Sequence, residues 1–331
     1  MAENVKAIVR WEQQDARGPE CVRATEGRRV RARHKHWPDS TSQSGGGPLL
    51  VELDGQVVGL AYFEAPWPPF AEVQNMQVIP AFRRRGAGSA ILDHCVEQAR
   101  RRGFMAMFLQ TDNDNIQAQR LYARKGFVAA TQGRMLRLVR LLDYPILDEF
   151  LHLRPLATYR GGDQSQGGSC PLLWHDPVNG DSLRLTLTGG SSDKDSDGYG
   201  PGLSAIECSL AGRCFAAELV GPGAIEPGKP LQLLLSMTNR SAAPMDASAR
   251  LLLPGGCRPV GAWPRFGPEV ALASGQQQQV VFEVEVTDQL DTARLERASF
   301  MSVPLTVEVF TSSSSFWLAH AVMLGAGGPK E

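Results

Sequence analysis

No stretch of the 331 residues comes near the roughly 18 consecutive apolar residues that a membrane-spanning helix needs. The N-terminus, MAENVKAIVRWEQQ, has no apolar signal core. The six cysteines (21, 95, 170, 208, 214, 257) form no C-x-x-C and stand at no zinc-type spacing from histidine. Scattered reduced thiols in a cytoplasmic protein, with no metal site, are therefore expected. Strong charge of either sign is missing too: the net charge is -1, made of 21 Lys+Arg against 17 Asp+Glu (+4) in residues 1–150 and 13 against 18 (-5) in 151–331. Neither half has the basic excess typical of a nucleic-acid-binding domain. The two commonest nucleotide signatures, G-x-x-x-x-G-K-[ST] and a complete G-x-G-x-x-G, are also absent.

What is present centres on residues 72–92, EVQNMQVIPAFRRRGAGSAIL. Val73, Met76 and Val78 suggest a strand, Pro80 breaks it, and Arg83-Arg84-Arg85-Gly86-Ala87-Gly88 leads into an apolar-periodic helix. Such a turn suits phosphate. Glycines at 86 and 88 let the backbone approach an anion closely, the helix start adds partial positive charge, and the arginines supply formal charge and forked donors. A second apolar strand, 104–109, follows, and then Asn115-Ile-Gln-Ala118-Gln-Arg-Leu121-Tyr122-Ala-Arg-Lys-Gly126-Phe127.

The first turn matches R-x-x-G-x-G and the second segment N-x-x-A-x-x-L-Y-x-x-x-G-F, in that order. Together they resemble the two signatures of the general-control-type N-acetyltransferase (GNAT) superfamily over residues 5–140. The resemblance implies an α/β fold, a mixed and mostly antiparallel sheet with helices on both faces, and direct transfer of an acyl group from acetyl-CoA or another acyl-CoA to a primary amine. It assigns the pyrophosphate to the backbone of Arg83, Arg84, Arg85, Gly86, Ala87, Gly88 and Ser89. The backbone of Met76, Gln77 and Val78 is assigned to the pantetheine arm. Glu72 stands six residues before Val78 and fourteen before Gly86, the spacing of the base glutamate in the histone-type branch; a carboxylate partly buried there would have a raised pKa. Its alternative is a solvated strand residue. Tyr122 is implied as the proton donor to the leaving thiolate, with packing as the alternative, and Asn115 as a CoA contact, with helix capping as the alternative.

The acceptor is expected to be a peptide or protein amine, because the turn at Gln132-Gly133 is short where this fold usually arches over the acceptor groove. The alternatives are a non-catalytic acyl-CoA-sensing module and a small-molecule amine acetyltransferase. Oligomeric state is not specified by the sequence.

Along the chain, Lys6–Trp11 reads as a first strand, and the basic run Arg28–Lys35 as the solvated face of an early helix or a site for an acidic partner or phosphate. Strands at Leu49–Leu53 and Val57–Glu64 meet at the turn dipeptide Asp54-Gly55. The proline-rich 65–70 is expected not to pair. Domains are placed at 1–142, a connecting helix (141–153) and Gly-rich linker at 143–168, and 169–331. The last part reads as about eight strands in an all-β sandwich, loosely similar to immunoglobulin-like accessory modules. Asp193–Gly198 resembles the start of a calcium loop, but Ser204 stands where a glutamate is needed; a polar turn is expected. His34-Lys35-His36 reads as a polar loop.

Overall fold

The computed structural model describes residues 30–34, 47–67, 70–132, 135–150, 153, 156–157, 169–189, 201–225, 228–261, 269–287, 289–290 and 302–324. The strand expected at Lys6–Trp11, the linker at 161–168 and the loop at 193–198 lie outside the described residues.

Among the described residues, seven strands form the first sheet: β1 (Val30–His34), β2 (Gly47–Leu53), β3 (Gln56–Trp67), β4 (Phe70–Val78), β5 (Ala106–Asp112), β6 (Val128–Gln132) and β7 (Met135–Leu141), in the order β1-β2-β3-β4-β5-β7-β6. Only β4 and β5 are parallel, and helix α1 (Ala87–Arg101) makes the crossover between them. Asp54 and Gly55 both have positive φ, 54° and 82°, in the two-residue turn that joins β2 to β3. Two expectations fail here. The basic run is not helical where it is described: Val30–His34 is an edge strand paired with β2, because Val30 and Ala32 alternate with Arg31 and Arg33 at the period of a strand. Within 65–70, Trp67 does pair with Phe70, and a register shift between Glu64 and Trp67 takes up Ala65 and Pro66.

Helix α1 buries Ala87, Ile91, Leu92, His94, Cys95, Val96 and Ala99. Helix α2 (Ile116–Arg124) buries Tyr122. Both pack into one apolar cluster with Ala61, Phe63, Val73, Met107, Leu109 and Leu138. Alternation along the strands sends Phe70, Phe108 and Val139 to the opposite face. That face does not carry helices among the described residues, contrary to expectation. It belongs to a cluster that includes the strand-rich half of the chain.

The connecting helix expected at 141–153 is a 3-10 turn, Pro145–Phe150; Pro145 pushes Tyr144 away from helical geometry. Beyond it, among the described residues, lie thirteen strands: β8 (Leu156–Ala157), β9 (Ser169–His175), β10 (Ser182–Gly189), β11 (Pro201–Leu210), β12 (Arg213–Val220), β13 (Ala224–Ile225), β14 (Pro230–Asn239), β15 (Met245–Leu252), β16 (Cys257–Pro259), β17 (Val270–Leu272), β18 (Gln277–Val286), β19 (Ser302–Thr311) and β20 (Ser315–Leu324). The eight expected strands each overlap one of these; the additional five are short or, in β9, carry a proline. One run of strands, β16-β18-β14-β12-β11, meets another, β20-β19-β15-β17, through the pair Leu203–Ala319. Asn239, fully buried, donates to the carbonyls of Ala243 and Leu272 and so ties the loop after β14 to the end of β17.

The two halves of the chain share a ring cluster. Trp317 of β20 packs edge-to-face on Phe70 at 5.4 Å and on Tyr144 at 5.2 Å between centroids, and Phe70 packs on Phe108 at 5.6 Å. Trp317 Nε1 donates to the Asp143 carbonyl at 2.8 Å, and Arg213 pairs with Glu149 at 2.5 Å. Truncating Trp317 to alanine should cost about 3–5 kcal/mol and lower the midpoint of a single denaturant transition followed by both circular dichroism and tryptophan-free probes. Tyr144→Phe should change that midpoint little, because the buried Tyr144 hydroxyl has no hydrogen-bond partner among the described residues.

Candidate functional site

The site is a gap between two strands that the rest of the sheet keeps in place. Strands β4 and β5 pair only from Phe70–Ala106 to Val73–Leu109. Past that point β4 runs on to Val78, still bonded to β3, and β5 runs on to Asp112, still bonded to β7. They part because β4 carries one extra residue. Between the pairs Tyr62–Gln74 and Leu60–Gln77 the register shifts, and Asn75 sits in the left-handed region at φ 48°. The inner edges of Gln74–Val78 and of 110–112 thus bound a slot closed at Val73–Leu109. Along β4 it is about 16 Å long at ~3.3 Å per residue.

At the open end stand the residues that the sequence singles out for phosphate. A 3-10 turn, Pro80–Phe82, follows β4, and Arg83 Nε donates back to the Val78 carbonyl at 3.0 Å. Arg84 and Gly86 both take positive φ, 59° and 91°, so successive N–H groups turn toward a common side. Arg83, Arg84, Arg85 and Gly86 are exposed. Helix α1 begins at Ala87 with no side-chain cap and no acidic residue in its first turn, which leaves the donors of its first turn, Ala87, Gly88 and Ser89 among them, for an anion. A phosphate-bearing group fits this cradle, and Met76, Gln77 and Val78 line the way from it into the slot.

Gly88 has a second task. A Cβ there would stand 3.0 Å from Leu121 Cδ2, so its smallness lets α2 pack against the start of α1. Lys125–Asp93 at 2.6 Å and Arg140 Nη1 to the Lys125 carbonyl at 2.6 Å hold α2 further. Tyr122, next to Leu121, is buried with its ring edge-on to Phe127 at 6.2 Å. Burial pushes its hydroxyl up to about 12, so it stays protonated through the neutral range. Asn115 lies just past β5 and caps α2, its Oδ1 accepting from Ala118 N–H at 3.2 Å.

Glu72 lies at the closed end, level with Phe108 and one residue before the strands part. It is 1 % exposed, which removes the solvated alternative. Gln74, two residues on and so on the same face, donates to Glu72 Oε2 at 2.7 Å. Glu64 stands directly opposite across β3. Neither neighbour was among the residues expected from sequence. Gln74 was open to detection from its i, i+2 spacing, whereas Glu64 requires the register. Among the described residues no group of three or more His, Cys, Asp or Glu could hold a metal ion, and no helix is long and apolar enough to cross a membrane.

Residues 6–127 match the model of the acetyltransferase (GNAT) family. Streptothricin acetyltransferase A of Bacillus subtilis is 27 % identical over 94 residues, 28 % of this chain and 54 % of that protein. The [ribosomal protein bS18]-alanine N-acetyltransferase of Salmonella typhimurium is 36 % identical over 64 residues, 19 % of this chain and 43 % of that protein. The chain spans about half the length of the curated relatives it matches. Among solved structures, the IAA acetyltransferase from Bacillus cereus aligns over 34 % of this chain and 99 % of its own, at 21 % identity and a TM-score of 0.31. A GNAT family acetyltransferase from Elizabethkingia anophelis with acetyl-CoA bound aligns over 36 % of this chain and all of its own, at 16 % identity and a TM-score of 0.29. The stretch that carries the splayed strands, the arginine-glycine turn and the capped second helix is, by its sequence, a domain of the GNAT acetyltransferase family.

Proposed function

We propose that the chain is an N-acyltransferase that moves an acetyl group from acetyl-CoA to a primary amine on a peptide or protein. The observation that carries this reading is the slot between β4 and β5, closed at Val73–Leu109 and opening on an uncapped helix start beside three exposed arginines. In this reading the N–H groups of Arg83–Ser89 hold the pyrophosphate, and the backbone of Met76, Gln77 and Val78 pairs with the pantetheine amides. Backbone donors on β4 then face the thioester oxygen, an arrangement worth a few kcal/mol when charge develops there.

Glu72 takes the proton that the ammonium must lose before its nitrogen attacks the thioester carbon. Its place at the closed end of the slot supports that role, and Gln74 orients the carboxylate. As the carbon–sulfur bond breaks, Tyr122 gives its proton to the sulfur. Asn115, just past β5, contributes its amide. A polypeptide acceptor is favoured by the short link between Gln132 and Met135, which leaves that side of the slot without an arch. The relatives include proteins named for streptothricin and for a ribosomal protein alanine, so thiol release should be followed with a peptide pool and with small amines side by side. The strand-rich half is read as a β-sandwich accessory unit, its two strand runs joined at Leu203–Ala319.

Two variants test the assigned roles. Glu72→Gln should lower the rate about 10²-fold near neutral pH and recover at high pH, where the amine is already neutral; a pH-independent deficit would remove Glu72 as the base. Tyr122→Phe should lower kcat more than it raises KM for acetyl-CoA, because its proton is given up only as sulfur departs. With its hydroxyl pushed up to about 12, the parent should show no alkaline fall in kcat from Tyr122 up to about pH 10. Equal kinetics for parent and variant would leave Tyr122 a packing residue.

A further inference from the structure

The slot has an end wall, and half of that wall comes from outside the family-matched segment. Strands β4 and β5 close at Val73–Leu109. One residue deeper, on the face that carries Glu72, stand Phe108 and then Phe70, two residues or about 7 Å further along β4. Trp317 and Tyr144 complete the cluster, with successive centroids 5.6, 5.4 and 5.2 Å apart. All four rings are buried, at 3 %, 6 %, 2 % and 5 % exposure for Phe108, Phe70, Trp317 and Tyr144. On the opposite face Val73, Met107 and Leu109 are packed into the cluster that holds Ile91 and Leu92 of α1. The family model matches residues 6–127, so Tyr144 and Trp317 lie outside the matched segment.

We propose that Trp317 and Tyr144, with Phe70 and Phe108, form the floor of the acyl pocket and restrict the donor to short acyl chains. The proposal rests on the reading that the pantetheine arm lies in the slot. Direction follows from the two ends: phosphates at the start of α1 place the thioester deepest, near Val73, so acyl carbons continue toward the closed end. A two-carbon group stops short of the rings. An eight-carbon chain has to displace close-packed aromatics on one face or α1 on the other, and interiors at crystal-like density yield to added carbons only at a cost. Trp317 is the ring that decides, because it touches both Phe70 and Tyr144 and is anchored through Nε1 to the Asp143 carbonyl.

The test needs no acceptor. Calorimetric titration of the full chain with CoA, acetyl-CoA and octanoyl-CoA should show octanoyl-CoA binding about tenfold or more weakly than acetyl-CoA. In Trp317→Leu and in Phe70→Leu, each checked for a native circular dichroism spectrum, the ratio of the two dissociation constants should move toward one. Octanoyl-CoA binding the parent as tightly as acetyl-CoA would overturn the floor while leaving the CoA site standing, and so would an unchanged ratio in whichever variants fold. Absence of binding by all three ligands to the parent would instead overturn the reading of the slot itself.

Discussion

Everything proposed for this protein depends on the parting of β4 from β5. A parallel pair that continued to Val78 would satisfy its own backbone groups and leave nothing for a ligand. The extra residue at Asn75 prevents that, since a bulge shifts the register of one strand and turns its inner edge away from the neighbour. Each strand stays anchored to its outer partner, so the gap is held open from both sides. Backbone donors and acceptors on the inner edges then need partners, and an extended chain carrying amides can supply them. The same strand delivers the chain to the turn at Arg83–Gly86, so slot and cradle are successive products of one strand end.

The strand-rich half is a cover for the sheet as well as a neighbour. The face of the first sheet that lacks helices among the described residues is apolar at Phe70, Phe108 and Val139, and exposing such a patch would be costly. Trp317, Tyr144, Ile146 and Phe150 close it, and the core runs without interruption from one half to the other. This joins stability to the site: the rings that bind the halves together also stand behind Glu72. Deleting the second half therefore uncovers the face on which the base candidate lies.

Legibility in the sequence followed the range of the interaction. The arginine-glycine turn, the capped helix at Asn115 and the Asp54-Gly55 hairpin could be read because their determinants lie within a few residues. Gly88 was legible as a site for close approach but not as the seat of Leu121, which comes from a different helix. The strand at Val30–His34 is obscured in the sequence because its arginines suit a solvated helix face as well as a two-residue alternation. Pro66 argues locally against pairing, whereas a register shift between Glu64 and Trp67 absorbs it. The ring cluster could not be found at all: Trp317 meets Asp143 across 174 residues of sequence, and no local pattern marks which face of β20 is covered by another sheet.

The central claim is that the inner edge of β4 and the first turn of α1 together receive one CoA molecule. Amide hydrogen exchange, followed with and without CoA, tests it most directly. The account predicts that added CoA slows exchange in peptides spanning Gln74–Val78 and Arg83–Ala90, while the strands beyond residue 169 exchange as before. Binding of CoA with no protection in either stretch, or with protection confined to the strand-rich half, would contradict it.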